Sequence, residues 1–252
     1  MLEAVLWGLV QGLTEFLPIS SSGHLVLIPE LLGVQPPDLA TTAVLHLGTL
    51  AAVILYYRRD LVWLARFRSE PEARTVLLLL ALGTAPAVVV LAMEGIVEDV
   101  QASALAVAWL LVVNGVILFM SGFLRGGRRG LATGKPVDAL TVGVVQVITA
   151  FPGLSRSGLT ITAGMSRKLE GREAARFSFL LSVPVIIAAA LIEGLELADR
   201  GGLTPQVLAG VTVAALSGYF AIELVLKVVN RFGLRPFAWY CFALAAAVLL
   251  TL

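Results

Sequence analysis

Apolar residues in this chain fall in long runs rather than in the period of two of a half-buried strand or the 3.6 of a surface helix. Six runs, at about 40–57, 75–93, 103–124, 177–193, 205–226 and 236–252, approach or exceed the ~20 residues a helix needs to cross a bilayer. They predict six transmembrane helices. Two further runs, at about 4–32 and 139–163, are apolar but broken. The first is cut by Leu17-Pro18-Ile19-Ser20-Ser21-Ser22-Gly23, the second by Phe151-Pro152-Gly153-Leu154-Ser155-Arg156-Ser157-Gly158. Proline and glycine stop helices, and serine hydroxyls compete for backbone hydrogen bonds. Each half is too short to span alone, so each broken run predicts a helical hairpin.

Polar positions orient these elements. All 18 Lys and Arg residues except Arg156 and Arg200 lie in four segments: Arg58–Arg74, Arg125–Lys135, Arg167–Arg176 and Lys227–Arg235. The intervening segments carry Glu94, Glu98 and Asp99, then Glu193, Glu196 and Asp199. Basic loops mark the cytoplasmic face. Because the segments on either side of 139–163 are both basic, that run enters and leaves on one face and is re-entrant. By the same parity the loop at Pro36-Pro37-Asp38 is external, and a re-entrant first run puts the N-terminus outside too.

The broken runs also match each other at a constant offset of 135. Gly8, Val10, Gln11, Thr14 and Phe16 recur as Gly143, Val145, Gln146, Thr149 and Phe151, and Ser20, Ser22 and Gly23 as Ser155, Ser157 and Gly158. One hairpin enters from each face, which describes an inverted-topology repeat. Irregular backbone at membrane depth survives only where it is buried or lines a wet cavity. The expected fold is therefore a single all-α multi-pass membrane domain, 1–252. It has repeat halves at about 1–124 and 139–252, and its two breaks face each other across a polar cavity.

Composition agrees: 58% of residues are hydrophobic and 14% charged, against about 25% charged in a soluble domain. A net charge of +1 offers nothing to nucleic acid, and a single cysteine, Cys241, excludes a disulfide framework or a cysteine metal site. No cleavable signal peptide is expected, since the N-terminus lacks a basic region and its apolar stretch is interrupted by Gln11, Thr14 and Glu15.

The repeat differs where chemistry enters. Glu15 is matched by Ala150, His24 by Leu159 and Arg156 by Ser21. An acid, an imidazole and a guanidinium are thus set among Ser20, Ser21, Ser22, Ser155, Ser157 and Thr160. A charge inside an apolar hairpin costs ~2.5–3.5 kcal/mol on insertion scales, which makes Arg156 a functional candidate. Its fork suits phosphate oxygens, and so do the helix N-termini that begin after each serine cluster. Gln11 and Glu15, at i and i+4, share a helix face and suit a hard divalent cation bridging to phosphate. Glu15 is also read as a general base, or as a purely structural partner of Arg156. His24 is a candidate acid, base or nucleophile, or a helix cap. His46 reads as a packed histidine near the cavity, Glu223 and Lys227 as an interfacial pair, and Gly210, Ala214, Ala215 and Gly218 as a close helix contact.

The stretch Gln11-Gly12-Leu13-Thr14-Glu15-Phe16-Leu17-Pro18-Ile19-Ser20-Ser21-Ser22-Gly23-His24-Leu25 resembles the first signature of the bacterial undecaprenyl-diphosphatases of the bacitracin-resistance type. Pro152-Gly153-Leu154-Ser155-Arg156-Ser157-Gly158-Leu159-Thr160 resembles the second, and Phe177–Pro184 the helix that follows. The resemblance covers essentially the whole chain. It implies hydrolysis of the terminal phosphate of undecaprenyl diphosphate in the cytoplasmic membrane, which recycles the cell-wall lipid carrier and confers bacitracin resistance. It also implies a divalent cation, magnesium or calcium. Glu15, Ser21, His24 and Arg156 match the family's essential residues, and Gln11 falls where the family has Glu or Gln. His46 falls where many members carry Gln, so no role transfers to it. The expected partners are a polyprenyl diphosphate and the bilayer, with a homodimer admitted and nucleic acid excluded. Two rival readings remain open: a transporter or flippase for an anionic substrate, which inverted repeats also serve, and an intramembrane serine protease, whose Gly-x-Ser-Gly pattern is absent.

Overall fold

The computed structural model describes residues 1–37, 39–124, 127–199 and 204–252. Asp38, Arg125 and Arg200, used in the charge pattern, lie outside the described residues, as do the side chains of Glu193, Glu196 and Asp199. Among the described residues the chain is all-helical, with one isolated bridge between Arg129 and Leu169. The first broken run forms α1 (Leu2–Phe16) and α2 (Ser21–Leu32), and the second forms α8 (Pro136–Ile148) and α9 (Arg156–Ser166). Between them lie α3 (Leu39–Tyr56), α4 (Arg58–Leu64), α5 (Pro71–Thr84), α6 (Glu94–Gln101) and α7 (Ala104–Ser121). After them come α10 (Gly171–Asp199), α11 (Pro205–Phe232) and α12 (Arg235–Leu249).

Among the described residues, three stretches are long and apolar enough to cross a membrane: Pro71–Gln101, Ala104–Ser121 and Pro205–Phe232. The outside of the bundle carries Leu78, Trp109, Met120, Leu216, Phe220 and Trp239, all more than half exposed, while Gln11, Glu15, Asn114 and Gln146 are buried. Lipid as the surrounding solvent accounts for that inversion, because apolar side chains facing acyl chains cost nothing and buried polar groups hold the interior together.

The run expected as a spanning helix at 75–93 lies within the Pro71–Gln101 stretch but is not a single α-helix. It begins earlier, at Pro71, and changes from α to a 3-10 helix over Ala85–Met93 before α6. Pro86 has no N–H to give to the helical ladder and its ring crowds the preceding turn, so the α-helix ends where it enters. Glu94, expected in an external loop, opens α6 instead.

Close packing follows the small residues. A Cβ on Gly8 would lie 2.4 Å from the Gly210 carbonyl oxygen, and one on Gly12 would lie 2.9 Å from Ala214 Cα, so α1 lies flush on α11. Gly48 of α3 meets Val211 and Ala214 of the same helix, and Gly218 meets Ala52. The two ends of the α8–α9 hairpin are tied together. Asp138 accepts from Arg129 Nη2 at 2.6 Å and from Arg167 Nε at 3.0 Å, and the Glu170 N–H donates to the Arg129 carbonyl.

Candidate active site

The two breaks are built alike and touch. Ser20 sits at a left-handed φ of 71°, and its Oγ caps α2 by accepting from the Gly23 N–H at 3.2 Å. Ser155 caps α9 in the same manner, accepting from the Gly158 N–H at 3.1 Å. Ser20 Oγ also accepts from the Gly153 N–H at 3.0 Å, across the two hairpins. A side chain at Gly23 would press on Gly153, its Cβ only 3.0 Å from Cα, so the approach requires glycine there. Asn114 of α7, fully buried, joins the breaks a second time. Its Nδ2 donates to the Pro18 carbonyl at 3.1 Å and its Oδ1 accepts from the Ser155 N–H at 2.9 Å. The N-termini of α2 and α9, each with unpaired N–H groups and the positive end of a helix dipole, are thereby brought to one place.

A cavity of about 540 Å3 opens beside them. Its polar wall includes Glu15, Ser20, Ser21, Ser22, Ser155 and Arg156, and its apolar wall includes Val88, Val90, Leu91, Val185 and Ile186. Glu15 is the hub. Arg156 Nη2 donates to its Oε1. Ser21 Oγ donates to its Oε2 at 2.6 Å, and Gln11 Nε2 donates to the same oxygen at 3.0 Å. Arg156 Nη1 is buried with no hydrogen-bond partner among the described residues. A hydroxyl held on a carboxylate, beside a guanidinium with a free nitrogen, can orient a nucleophile and neutralise an anion.

The structure thus brings Glu15, Ser21 and Arg156 together, with Ser20, Ser22 and Ser155 around them. It does not bring His24 to the cavity wall. His24 Nδ1 donates to the Ser20 carbonyl at 2.7 Å, and its Nε2 takes the Tyr240 hydroxyl at 2.8 Å, behind the serine cluster. Ser157 Oγ donates to the Leu17 carbonyl at 3.2 Å, and Thr160 Oγ1 bonds to Ser178 Oγ at 2.6 Å. Both therefore tie elements together outside the lining. The imidazole that does line the cavity is His46, read from the sequence as packing. Its Nδ1 donates to the Thr42 carbonyl at 2.8 Å and its Nε2 lies 3.7 Å from Glu15 Oε2. Asn114 is the residue that sequence reasoning missed, although a lone carboxamide within an apolar run is a signal in its own right.

No cluster of three or more His, Cys, Asp or Glu suited to a metal occurs among the described residues. Gln11 Oε1, however, is buried without a partner beside the Glu15 carboxylate. One carboxylate and one orphaned carbonyl oxygen fit a hard cation that takes the rest of its shell from phosphate and water.

Fold and cavity together define a helical membrane protein with an arginine–glutamate site where two helix breaks meet. The chain belongs to the family described as Bacitracin resistance protein BacA, whose model matches residues 4–247. It is similar to the "Undecaprenyl-diphosphatase" of Hahella chejuensis, 41% identical over 100% of this chain and 98% of that protein. It is also similar to the protein of the same name from Trichlorobacter lovleyi, 39% identical over 99% and 96%, and to "Undecaprenyl-diphosphatase 3" of Bacillus cereus, 36% identical over 99% and 96%.

Proposed function

We propose that this chain is a membrane-embedded phosphatase that removes the terminal phosphate of undecaprenyl diphosphate, leaving undecaprenyl phosphate for reuse in cell-wall synthesis. The carrying observation is the Arg156–Glu15–Ser21 cluster at the junction of two helix N-termini, in a cavity whose other wall is apolar. Its family membership and the names of its full-length relatives support the same substrate.

Phosphoryl transfer asks a protein mainly for positioning and charge stabilisation. The diphosphate enters between the α2 and α9 N-termini, its terminal phosphate toward Ser21, and takes the guanidinium of Arg156. Ser21 Oγ attacks the terminal phosphorus and passes its proton to Glu15, on which it already rests. The bond to the bridging oxygen breaks, prenyl phosphate leaves, and water then cleaves the phosphoserine. Glu15 and Gln11 would hold a divalent cation, magnesium or calcium, which when bound neutralises phosphate charge. His24, held by Ser20 and Tyr240, positions the serine cluster from behind.

The same reading gives the chain six spans and two re-entrant hairpins, one from each face, as a single membrane domain of two inverted halves. Support comes from element register, since α1, α2, α3, α5 and α7 are followed in the same order by α8, α9, α10, α11 and α12. The tie of Arg129 and Arg167 to Asp138 also sets both ends of the second hairpin side by side. The decisive experiment is phosphate release from undecaprenyl diphosphate by purified protein in detergent, with and without divalent cation. Cation-dependent release is expected. Binding or transport with no release would leave the carrier reading in its place.

A further inference from the structure

Gln146 is 4% exposed and helps line the cavity, yet neither atom of its carboxamide has a hydrogen-bond partner among the described residues. Buried amides left wholly unsatisfied are rare and call for a reason. The repeat supplies one. In the first half, Gln11 and Ser21 both donate to Glu15. Their counterparts at the offset of 135 are Gln146 and Arg156, and the counterpart of the acceptor Glu15 is Ala150. The second half therefore keeps the two donors and has lost the carboxylate they would serve. Both donors are unsatisfied: the Gln146 amide entirely, and Arg156 at Nη1. Ala150 itself lines the cavity, in the turn that ends α8.

We propose that an oxyanion of the substrate completes this half-site, taking the place of the missing carboxylate, and that the oxyanion is the retained phosphate, the one esterified to the lipid. The inference rests on the phosphatase reading above. The choice of phosphate follows from the layout. The attacking Ser21 and Glu15 belong to the first hairpin, so the terminal phosphate sits on that side. Gln146 and Ala150 belong to α8 and its final turn, and α8 packs on the 85–93 segment, whose Val88, Val90 and Leu91 form the apolar wall that a prenyl chain would follow. The Gln146 amide is closed to water in the ligand-free protein, and rotation about its soft terminal torsion presents the N–H2 to an arriving anion.

Gln146→Leu tests this by binding as well as turnover. Removing two unsatisfied buried polar atoms raises the thermal midpoint of the ligand-free protein, whereas a merely structural glutamine would lower it. Losing a hydrogen bond to a charged group weakens inhibition and thermal stabilisation by farnesyl monophosphate roughly 10- to 100-fold. Inhibition by inorganic phosphate, which takes the Ser21 side, stays at the wild-type value. Ala150→Glu restores an internal acceptor and is expected to abolish farnesyl monophosphate binding while Gln146 is present. Unchanged farnesyl monophosphate binding in both variants overturns the half-site, and a shift confined to inorganic phosphate overturns its assignment to the retained phosphate. Wild-type protein that releases no phosphate from undecaprenyl diphosphate sinks the phosphatase reading, while the thermal-shift arm with farnesyl monophosphate still judges the half-site.

Discussion

At the residue scale, one carboxylate organises the site. Glu15 takes a guanidinium on one oxygen and a hydroxyl and an amide on the other, so changing it disturbs three neighbours at once. Arg156→Lys keeps the charge and loses the fork. Phosphate release should fall by at least ~100-fold, the scale of one lost transition-state donor, with the variant still extracted in folded form from the membrane. Glu15→Gln should shift the divalent-cation titration of phosphate release to much higher concentration, and an unchanged titration would remove Glu15 from the cation's shell. Glu15 and Arg156 were legible in the sequence because a charge within an apolar run is costly to insert and persists where it has a function. His46 was not. Its place beside Glu15 depends on how α3 rotates against α1, and that follows from how both helices seat on α11, α1 through Gly8 and Gly12 and α3 through Gly48. His24 lies next to the serines in sequence, but α2 turns it away from the cavity, onto Tyr240.

At the element scale, the breaks themselves were the clearest sequence signal, and the contact between them the least. Proline, glycine and serine mark where a helix stops, yet nothing local says that Ser20 bonds to Gly153 or that Asn114 reaches both breaks. Asn114→Ala leaves the Ser155 N–H and the Pro18 carbonyl buried without partners, at ~1–3 kcal/mol for each. A lower thermal midpoint in detergent, with activity lost alongside, checks it. The flush seam of α1 on α11 gives a second expectation. Gly12→Ala drives a methyl against the Ala214 backbone, and overpacking of that kind costs ~1–3 kcal/mol. The comparable change at Gly95, which has open space around it, should leave the midpoint within error of wild type. The 3-10 stretch that contains Pro86 was half visible, since the proline announces a disruption but not the nine residues over which the chain winds more tightly.

At the scale of the whole molecule, charge placement and hairpin geometry make one claim about sidedness. Cysteines placed at Gly130 and Glu170 should react from the same face of the membrane with an impermeant reagent, and a cysteine at Glu98 from the opposite face. Labelling of 130 and 170 from opposite faces would turn the second hairpin into a crossing. Native Cys241 is fully buried and stays silent in such an experiment. That expectation rests on charge, since lipid penalises it so heavily that arginines and lysines report where loops lie.

Asn114 carries a last implication for how the protein turns over. A carrier that rocks one half against the other must let its centre separate, but here a single carboxamide from α7 is stitched to both hairpins, and Ser20 adds a second stitch. Neither could survive a swing that parted the halves. On the phosphatase reading proposed above the two halves stay joined through turnover, and the lipid would have to slide sideways between helices to deliver its headgroup and withdraw one phosphate lighter.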